Sequence, residues 1–264
     1  MPKFCANLSM LFGEHDFIGR FAAAATAGFK GVEYVGPYAF PKQQVADALH
    51  SSSLKQVLFN LPAGNWDAGE RGIGCLPDRA GEFQDGVGKA IDYAKALNCT
   101  MINCLAGIRP DSVTHEKAFA TMVSNLKFAA AALKKEGILL IVEPINSFDI
   151  PGFFLNRSRD GIAVIDAAGA DNLKLQYDIY HMQRMEGELA ATLTRLMPRI
   201  GHLQIADNPG RNEPGTGEIN YRNVFKHIHG KGFTGVVGME HGNSIRGRDG
   251  ERAVISAYVA ADAF

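Results

Sequence analysis

Little in this sequence points away from an ordinary enzyme-sized globular chain. No run of about 18 apolar residues occurs, so no segment reads as a bilayer-spanning helix. Lysine and arginine number 27 against 28 aspartate and glutamate, a formal net charge of −1. That balance offers no long-range attraction to nucleic acid or to an anionic membrane, and neither is expected as a partner. Cysteine is scarce: Cys5, Cys75, Cys99 and Cys104 form no CxxC pair and no ladder of short spacings. A disulfide framework or zinc knuckle is therefore not expected, and all four read as reduced thiols of a cytoplasmic protein. The stretch 4–12 is broken by Asn7 and Ser9 and followed by Glu14-His15-Asp16, which makes a poor secretory signal. No GxGxxG follows the first apolar run, and no Pro/Ser-rich linker or charge block divides the chain.

What is present is repetition. Short apolar runs rich in β-formers occupy 4–12, 31–36, 56–61, 101–106, 139–145, 173–180, 200–206 and 235–239, one per roughly 33 residues. Between them, apolar spacing near 3.6 predicts helices over 17–27, 45–50, 83–97, 119–133, 159–168, 188–197 and 221–229, with a last one over 248–261. Asn220 is placed to cap the helix that starts at 221. Helix-to-strand junctions repeat one phrase: Ala27-Gly-Phe-Lys-Gly, Lys135-Glu-Gly-Ile and Lys231-Gly-Phe-Thr-Gly. This is the glycine-marked αβ turn of a parallel sheet. The pattern predicts an α/β fold, a single (β/α)8 TIM barrel over 1–264, with an open doubly wound sheet as the alternative. Residues 62–78 read as a long structureless loop after the third strand, on the barrel face that carries active sites.

Polar residues interrupt the late strands at their C-terminal ends. Strand five reads Leu139-Leu-Ile-Val-Glu143, strand six Leu175-Gln-Tyr-Asp178, strand seven Gly201-His-Leu-Gln204 and strand eight Val236-Val-Gly-Met-Glu240. In a closed barrel these four side chains converge on one mouth. A lone carboxylate at a strand end is as readily a loop cap or a salt bridge, but four in phase on consecutive strands argue for a site. Three like charges brought together repel unless they are protonated or neutralised by a cation. Glu143, Asp178, Gln204 and Glu240 offer only oxygen, which selects a hard divalent ion such as Mg²⁺ or Mn²⁺. His181, three residues beyond Asp178, is placed to reach a substrate oxygen. His202 and His241 read as structural, while His15, His50 and His115 read as surface residues.

These segments carry a resemblance. Val142-Glu-Pro-Ile-Asn, Tyr177-Asp-Ile-Tyr-His-Met-Gln, His202-Leu-Gln-Ile-Ala-Asp and Gly238-Met-Glu-His resemble the hydroxypyruvate isomerase family of xylose-isomerase-like TIM barrels. So do Phe59-Asn-Leu-Pro-Ala-Gly-Asn-Trp, Gly69-Glu-Arg-Gly and Glu213-Pro-Gly-Thr-Gly-Glu-Ile-Asn-Tyr, and the similarity runs through essentially the whole chain. The resemblance implies an aldose–ketose isomerase that interconverts hydroxypyruvate and tartronate semialdehyde. It carries over Glu143 and Glu240 as the proton donor and acceptor, and Glu143, Asp178, Gln204 and Glu240 as the ligands of a divalent metal. The related ketose 3-epimerases have histidine at the Gln204 position, and their substrate-contacting glutamate and arginine fall near Asp149 and Arg211. Isomerases of four-carbon 2-oxo acids share these motifs and are the runner-up.

A 2-oxo acid substrate brings a carboxylate that needs a cation. Arg71, in the 62–78 loop beside Glu70, is the candidate, because a guanidinium fork matches a carboxylate. Trp66 and Asn65 would help that loop close as a lid that excludes water. Two other classes remain open at this level: an endonuclease-IV-like phosphodiesterase, which needs more histidine ligands and a basic face, and a non-catalytic sugar-acid binder. Apolar helix faces leave room for a homo-oligomer.

Overall fold

Every apolar run becomes a strand, and none alternates cleanly between polar and apolar because both faces are covered, as in parallel sheets. The structure, a computed structural model, describes residues 3–242. Its strands are β1 (Lys3–Asn7), β2 (Gly31–Tyr34), β3 (Lys55–Asn60), β4 (Met101–Cys104), β5 (Leu139–Val142), β6 (Leu173–Asp178), β7 (Ile200–Ile205) and β8 (Val236–Met239). They pair in sequence order into a closed parallel barrel, with β8 returning to β1 through Lys3↔Val236 to Ala6↔Met239.

Helices cover the outside: α1 (Gly19–Thr26), α2 (Lys42–Ser51), α3 (Ala80–Leu97), α4 (His115–Lys135), α5 (Ser158–Ala168), α6 (Ile179–Met185), α7 (Leu189–Leu196) and α8 (Tyr221–Gly230). Their apolar stripes face the barrel, with Val87, Ala94 and Leu97 of α3 and Met122, Leu126, Ala129 and Leu133 of α4 all buried. Caps fall where the side-chain chemistry allows. The Thr114 side chain accepts from Lys117 N to open α4, and Asn220 accepts from Asn223 N to open α8. The four cysteines are buried free thiols. Among the described residues, no helix is long and apolar enough to cross a membrane.

Three expectations change. The first strand stops at Asn7 rather than running to residue 12, because Met10 N and Leu11 N turn back to the Asn7 carbonyl. The sixth stops at Asp178, whose carboxylate accepts from Tyr180 N at 2.8 Å and His181 N at 3.4 Å and so caps α6, a helix the apolar pattern hid. The 62–78 segment is not structureless. Gly72, at φ +110°, bridges to Ala106, Cys75 N donates to Ala106 O, and a short 3₁₀ turn (Pro77–Arg79) closes the segment. The helix expected over 248–261 lies outside the described residues.

The barrel interior has little spare room. A Cβ on Gly238 of β8 would lie 2.2 Å from Glu33 Oε1, so glycine is the residue that lets a charged side chain from β2 cross the interior. Gly238→Ala should cost about 1–3 kcal/mol in urea unfolding. Gly88→Ala, in α3 with nothing within 4 Å of the added carbon, should be neutral or slightly stabilising. Equal stability of the two variants would show that the interior is not crowded at Gly238.

Candidate active site

All eight strands, not four, deliver a polar side chain to the barrel interior. To Glu143, Asp178, Gln204 and Glu240 the structure adds Asn7 on β1, Glu33 on β2, Asn60 on β3 and Asn103 on β4, each buried. Asn103 Nδ2 donates to Glu143 Oε2 at 3.1 Å, and Asn7 Nδ2 donates to Glu240 Oε1 at 3.2 Å. Each of these two glutamates thus has one oxygen held by an amide. Deeper in, Glu33 is fully enclosed and accepts from Asn7 Nδ2 (3.2 Å), Gln204 Nε2 (2.7 Å) and Cys5 Sγ (3.3 Å), with His202 Nε2 at 2.7 Å. Burial pulls Glu33 upward, but the His202 charge and these donors outweigh it and hold the carboxyl below its ordinary value.

The upper layer is compensated only in part. Glu143, Asp178, His181 and Glu240 each offer one ligand-type atom, and those atoms lie within 4.8 Å of one another. Burial, followed by the charges of Glu240 and Asp178, pushes the Glu143 carboxyl well above the ordinary range. Burial raises Asp178 against the opposing pull of Arg211, and it raises Glu240 to about 8. Asp178 Oδ2 is buried with no hydrogen-bond partner among the described residues. A concentration of buried, proton-retaining carboxylates with an orphaned oxygen fits a hard divalent cation. Gln204 lines the same small polar chamber as Glu143 and Glu240, and its Oε1 accepts from Gln176 Nε2 at 2.5 Å, which leaves one lone pair.

The other predicted residues gather around a cavity of about 840 Å³ lined by Glu143, Glu240, His181, Arg211, Trp66 and Arg71. His181 lies three residues beyond Asp178, past the end of β6. It sits in the first turn of α6, 1% exposed, with Nε2 3.5 Å from Asp178 Oδ2 and 4.0 Å from Glu143 Oε1. Burial, then the charges of Arg211 and Arg184, hold its imidazole well below the usual value. Arg211, at φ +54° in the β7–α8 loop, donates from Nη2 to Glu240 Oε2 at 2.9 Å, with Asp178 Oδ2 at 3.7 Å. Arg71 lies on the opposite loop, its guanidinium 4.1 Å over the Trp66 ring and its Nη1 donating to Trp66 O and Glu70 O. His202 and His241 are buried, as a structural role requires, and His115 and His50 are exposed.

A family model for xylose isomerase-like TIM barrels matches residues 21–257. Hydroxypyruvate isomerase of Escherichia coli K12 is 56% identical over 241 residues, covering 91% of this chain and 93% of that protein. The chain belongs to the hydroxypyruvate isomerase family. Its place there makes it an isomerase-type enzyme. A second family relative, 2-oxo-tetronate isomerase of Cupriavidus necator, is 44% identical with the same coverage of both chains. Among solved structures, a Brucella melitensis protein named AP endonuclease, family 2, superposes with a TM-score of 0.94 at 36% identity, over 98% of this chain and 99% of that one. A 3-keto-D-glucoside 4-epimerase from E. coli shares the fold at TM-score 0.80 and 19% identity.

Raised carboxyls make stability depend on pH in a defined direction. A group whose folded pKa exceeds its unfolded value stabilises the fold fully below the unfolded value, and that contribution is lost as pH rises through the folded one. For Glu240 the window runs from the ordinary 4.5 to about 8. Metal-free protein should therefore lose several degrees of Tm between about pH 5 and about pH 8, and Glu240→Gln should flatten the slope. A Tm that climbs across this range, measured by calorimetry in chelator, would contradict the assigned protonation.

Proposed function

We propose that this chain interconverts hydroxypyruvate and tartronate semialdehyde, with Glu143 and Glu240 as the proton-transferring pair. The observation that carries the reading is the placement of these two glutamates at one cavity, each with one oxygen tied to an asparagine amide and its carboxyl biased toward holding a proton. Isomerisation removes a proton from C3 and returns one to C2 through a cis-enediolate, while the hydroxyl proton moves from the C3 oxygen to the C2 oxygen. One glutamate enters as carboxylate base and the other as carboxylic acid, and the roles reverse with direction. Two neighbouring buried carboxyls whose charges oppose each other are suited to sharing protons in that way.

Negative charge develops on the C2 and C3 oxygens as the proton leaves C3, and the residues facing the cavity must accommodate it. His181 stands beside Asp178 and Glu143, where a neutral ring N–H donates to a substrate oxygen. Arg211 neutralises the acidic layer from the other side. Glu143, Asp178, Gln204 and Glu240 would hold Mg²⁺ or Mn²⁺, which when bound supplies Lewis-acid stabilisation of that developing charge. Arg71 serves the substrate carboxylate. The loop bearing Trp66 and Arg71 forms the wall that keeps water from the enediolate.

Four-carbon 2-oxo acids are the second substrate class, favoured by the 44% identity to a 2-oxo-tetronate isomerase and by a cavity with room for the longer chain. Proton NMR in D₂O with hydroxypyruvate, a 2-oxo-tetronate and a neutral ketose, with and without EDTA, reads substrate choice, C–H exchange and metal dependence together. The expected result is isomerisation of a 2-oxo acid, with deuterium entering carbon and activity lost in chelator. Glu143→Gln and Glu240→Gln should each lower turnover by about 10³-fold or more while remaining folded. Epimerisation of ketoses alone, or cleavage of an abasic-site duplex, would replace the reading. In the same assay Arg71→Ala should raise KM for the 2-oxo acid at least about tenfold. An equal effect on a neutral sugar would remove Arg71 from carboxylate binding.

A further inference from the structure

The orientation of one amide decides what the histidine of the site can do. Asn146, fully buried after β5, accepts on Oδ1 from the backbone N–H groups of Phe148 (3.0 Å) and Asp149 (2.8 Å). Its Nδ2 donates to Asp149 Oδ2 at 2.9 Å. A flipped amide would set two N–H donors against its nitrogen and a carboxylate against its oxygen, so the assignment is fixed by its partners. The same Nδ2 lies 2.7 Å from His181 Nδ1, and the Asn146 backbone N–H also points at that nitrogen from 3.5 Å. Two donors converge on Nδ1, which must present its lone pair. The ring proton therefore belongs to Nε2, the nitrogen that faces Asp178, Glu143 and the cavity; Arg211 Nη2 also stands 3.4 Å from it, but that guanidinium nitrogen donates to Glu240 Oε2 at 2.9 Å. Asp149 is anchored in turn by Tyr180 OH at 2.8 Å and Arg184 Nη1 at 2.5 Å, so a chain of hydrogen bonds runs from a half-buried arginine to the site.

We propose that Asn146 is a positioning residue that fixes His181 as the Nε2–H tautomer, making its N–H a donor to the substrate oxygen and keeping the ring out of any metal coordination sphere. A nitrogen that carries a proton has no lone pair for a cation, so the ion-binding set is confined to oxygen. The donor role rests on the isomerase reading, whereas the tautomer stands on the hydrogen bonds alone.

Protein labelled with ¹⁵N in its histidine rings, studied metal-free and without substrate, separates the two. Long-range ¹H–¹⁵N correlation, with His181 assigned by its absence in His181→Gln, should show a protonated Nε2 and a bare Nδ1, unchanged when Mg²⁺ is added. Asn146→Asp places an acceptor opposite Nδ1 and should move the proton there. It should lower kcat about tenfold or more, with KM within about threefold of the parent. A wild-type ring protonated at Nδ1, or a ring signal displaced to a ligated position by Mg²⁺, overturns the proposal even if Asn146→Asp fails to fold. So does Asn146→Asp with the proton moved and kcat unchanged. Wild-type protein that shows the expected tautomer but isomerises no 2-oxo acid would sink the functional reading and leave the tautomer in place.

Discussion

The mutual repulsion of three largely buried carboxylates is the constraint around which this barrel is arranged. At separations near 5 Å and an effective dielectric of about 20, two unit charges repel by about 3 kcal/mol, a large fraction of the net stability of a folded domain. Glu143, Asp178 and Glu240 therefore cannot all ionise without help, and the structure supplies help in three forms. Amides from β1 and β4 hold one oxygen of each glutamate, the first turn of α6 donates two backbone N–H groups to Asp178, and Arg211 brings a guanidinium against Glu240. What remains uncompensated is carried by protons or by a cation. A site that must trade protons with substrate is built from groups in that condition.

The layer beneath solves the opposite problem. Glu33 is more deeply buried than any of the upper acids, yet it is saturated by donors and by His202, which favours its ionised form. It also orients the residues above it. Asn7 Nδ2 is shared between Glu33 and Glu240, and Gln204 Nε2 is committed to Glu33, which turns the Gln204 carbonyl toward Gln176. One fully paired charge thus fixes side chains on β1 and β7. The glycine at 238 is the steric condition for that charge to be there at all. The acid below is thus held ionised by its partners, while the three acids above it are biased toward holding protons.

The architecture and half of the site were readable in the sequence, and the reason the other half was not is physical. Eight apolar runs, glycine-marked turns and capped helices specify the barrel because parallel strands are buried on both faces. Glu143, Asp178, Gln204 and Glu240 stood out because carboxylates and amides are rare in such strands. Asn7, Asn60 and Asn103 also follow apolar residues, but asparagine ends strands and starts turns as well, so its type alone does not mark it as interior. Glu33 is preceded by too short an apolar run to mark it as interior. The 173–180 run reads as strand through Tyr180, which sets His181 just beyond its end, and only the Asp178 cap shows that a helix begins there. Arg211 is reached only through resemblance, since nothing in its local sequence says that a positive-φ loop folds it back over the acids.

Size and charge together say how selectivity must arise under the proposed reading. A cavity of about 840 Å³ belongs with ligands far larger than a three-carbon acid, so shape alone cannot exclude competitors. Hydroxypyruvate also has almost no apolar surface to bury, so the hydrophobic contribution to its binding is small. What distinguishes it from a neutral sugar is its carboxylate. The walls offer two guanidinium groups, but Arg211 is drawn down onto Glu240 and Asp178, while Arg71 is held flat on Trp66 with its donors toward the loop backbone and the cavity. Selectivity then follows from where the cations stand: the one embedded among acids tunes the chemistry, and the one on the loop chooses the substrate. A longer 2-oxo acid satisfies the same arrangement, because its extra carbon extends into space the cavity already provides. Under this reading a three-carbon and a four-carbon 2-oxo acid would be told apart by what fills that space and not by the acid pair beneath it.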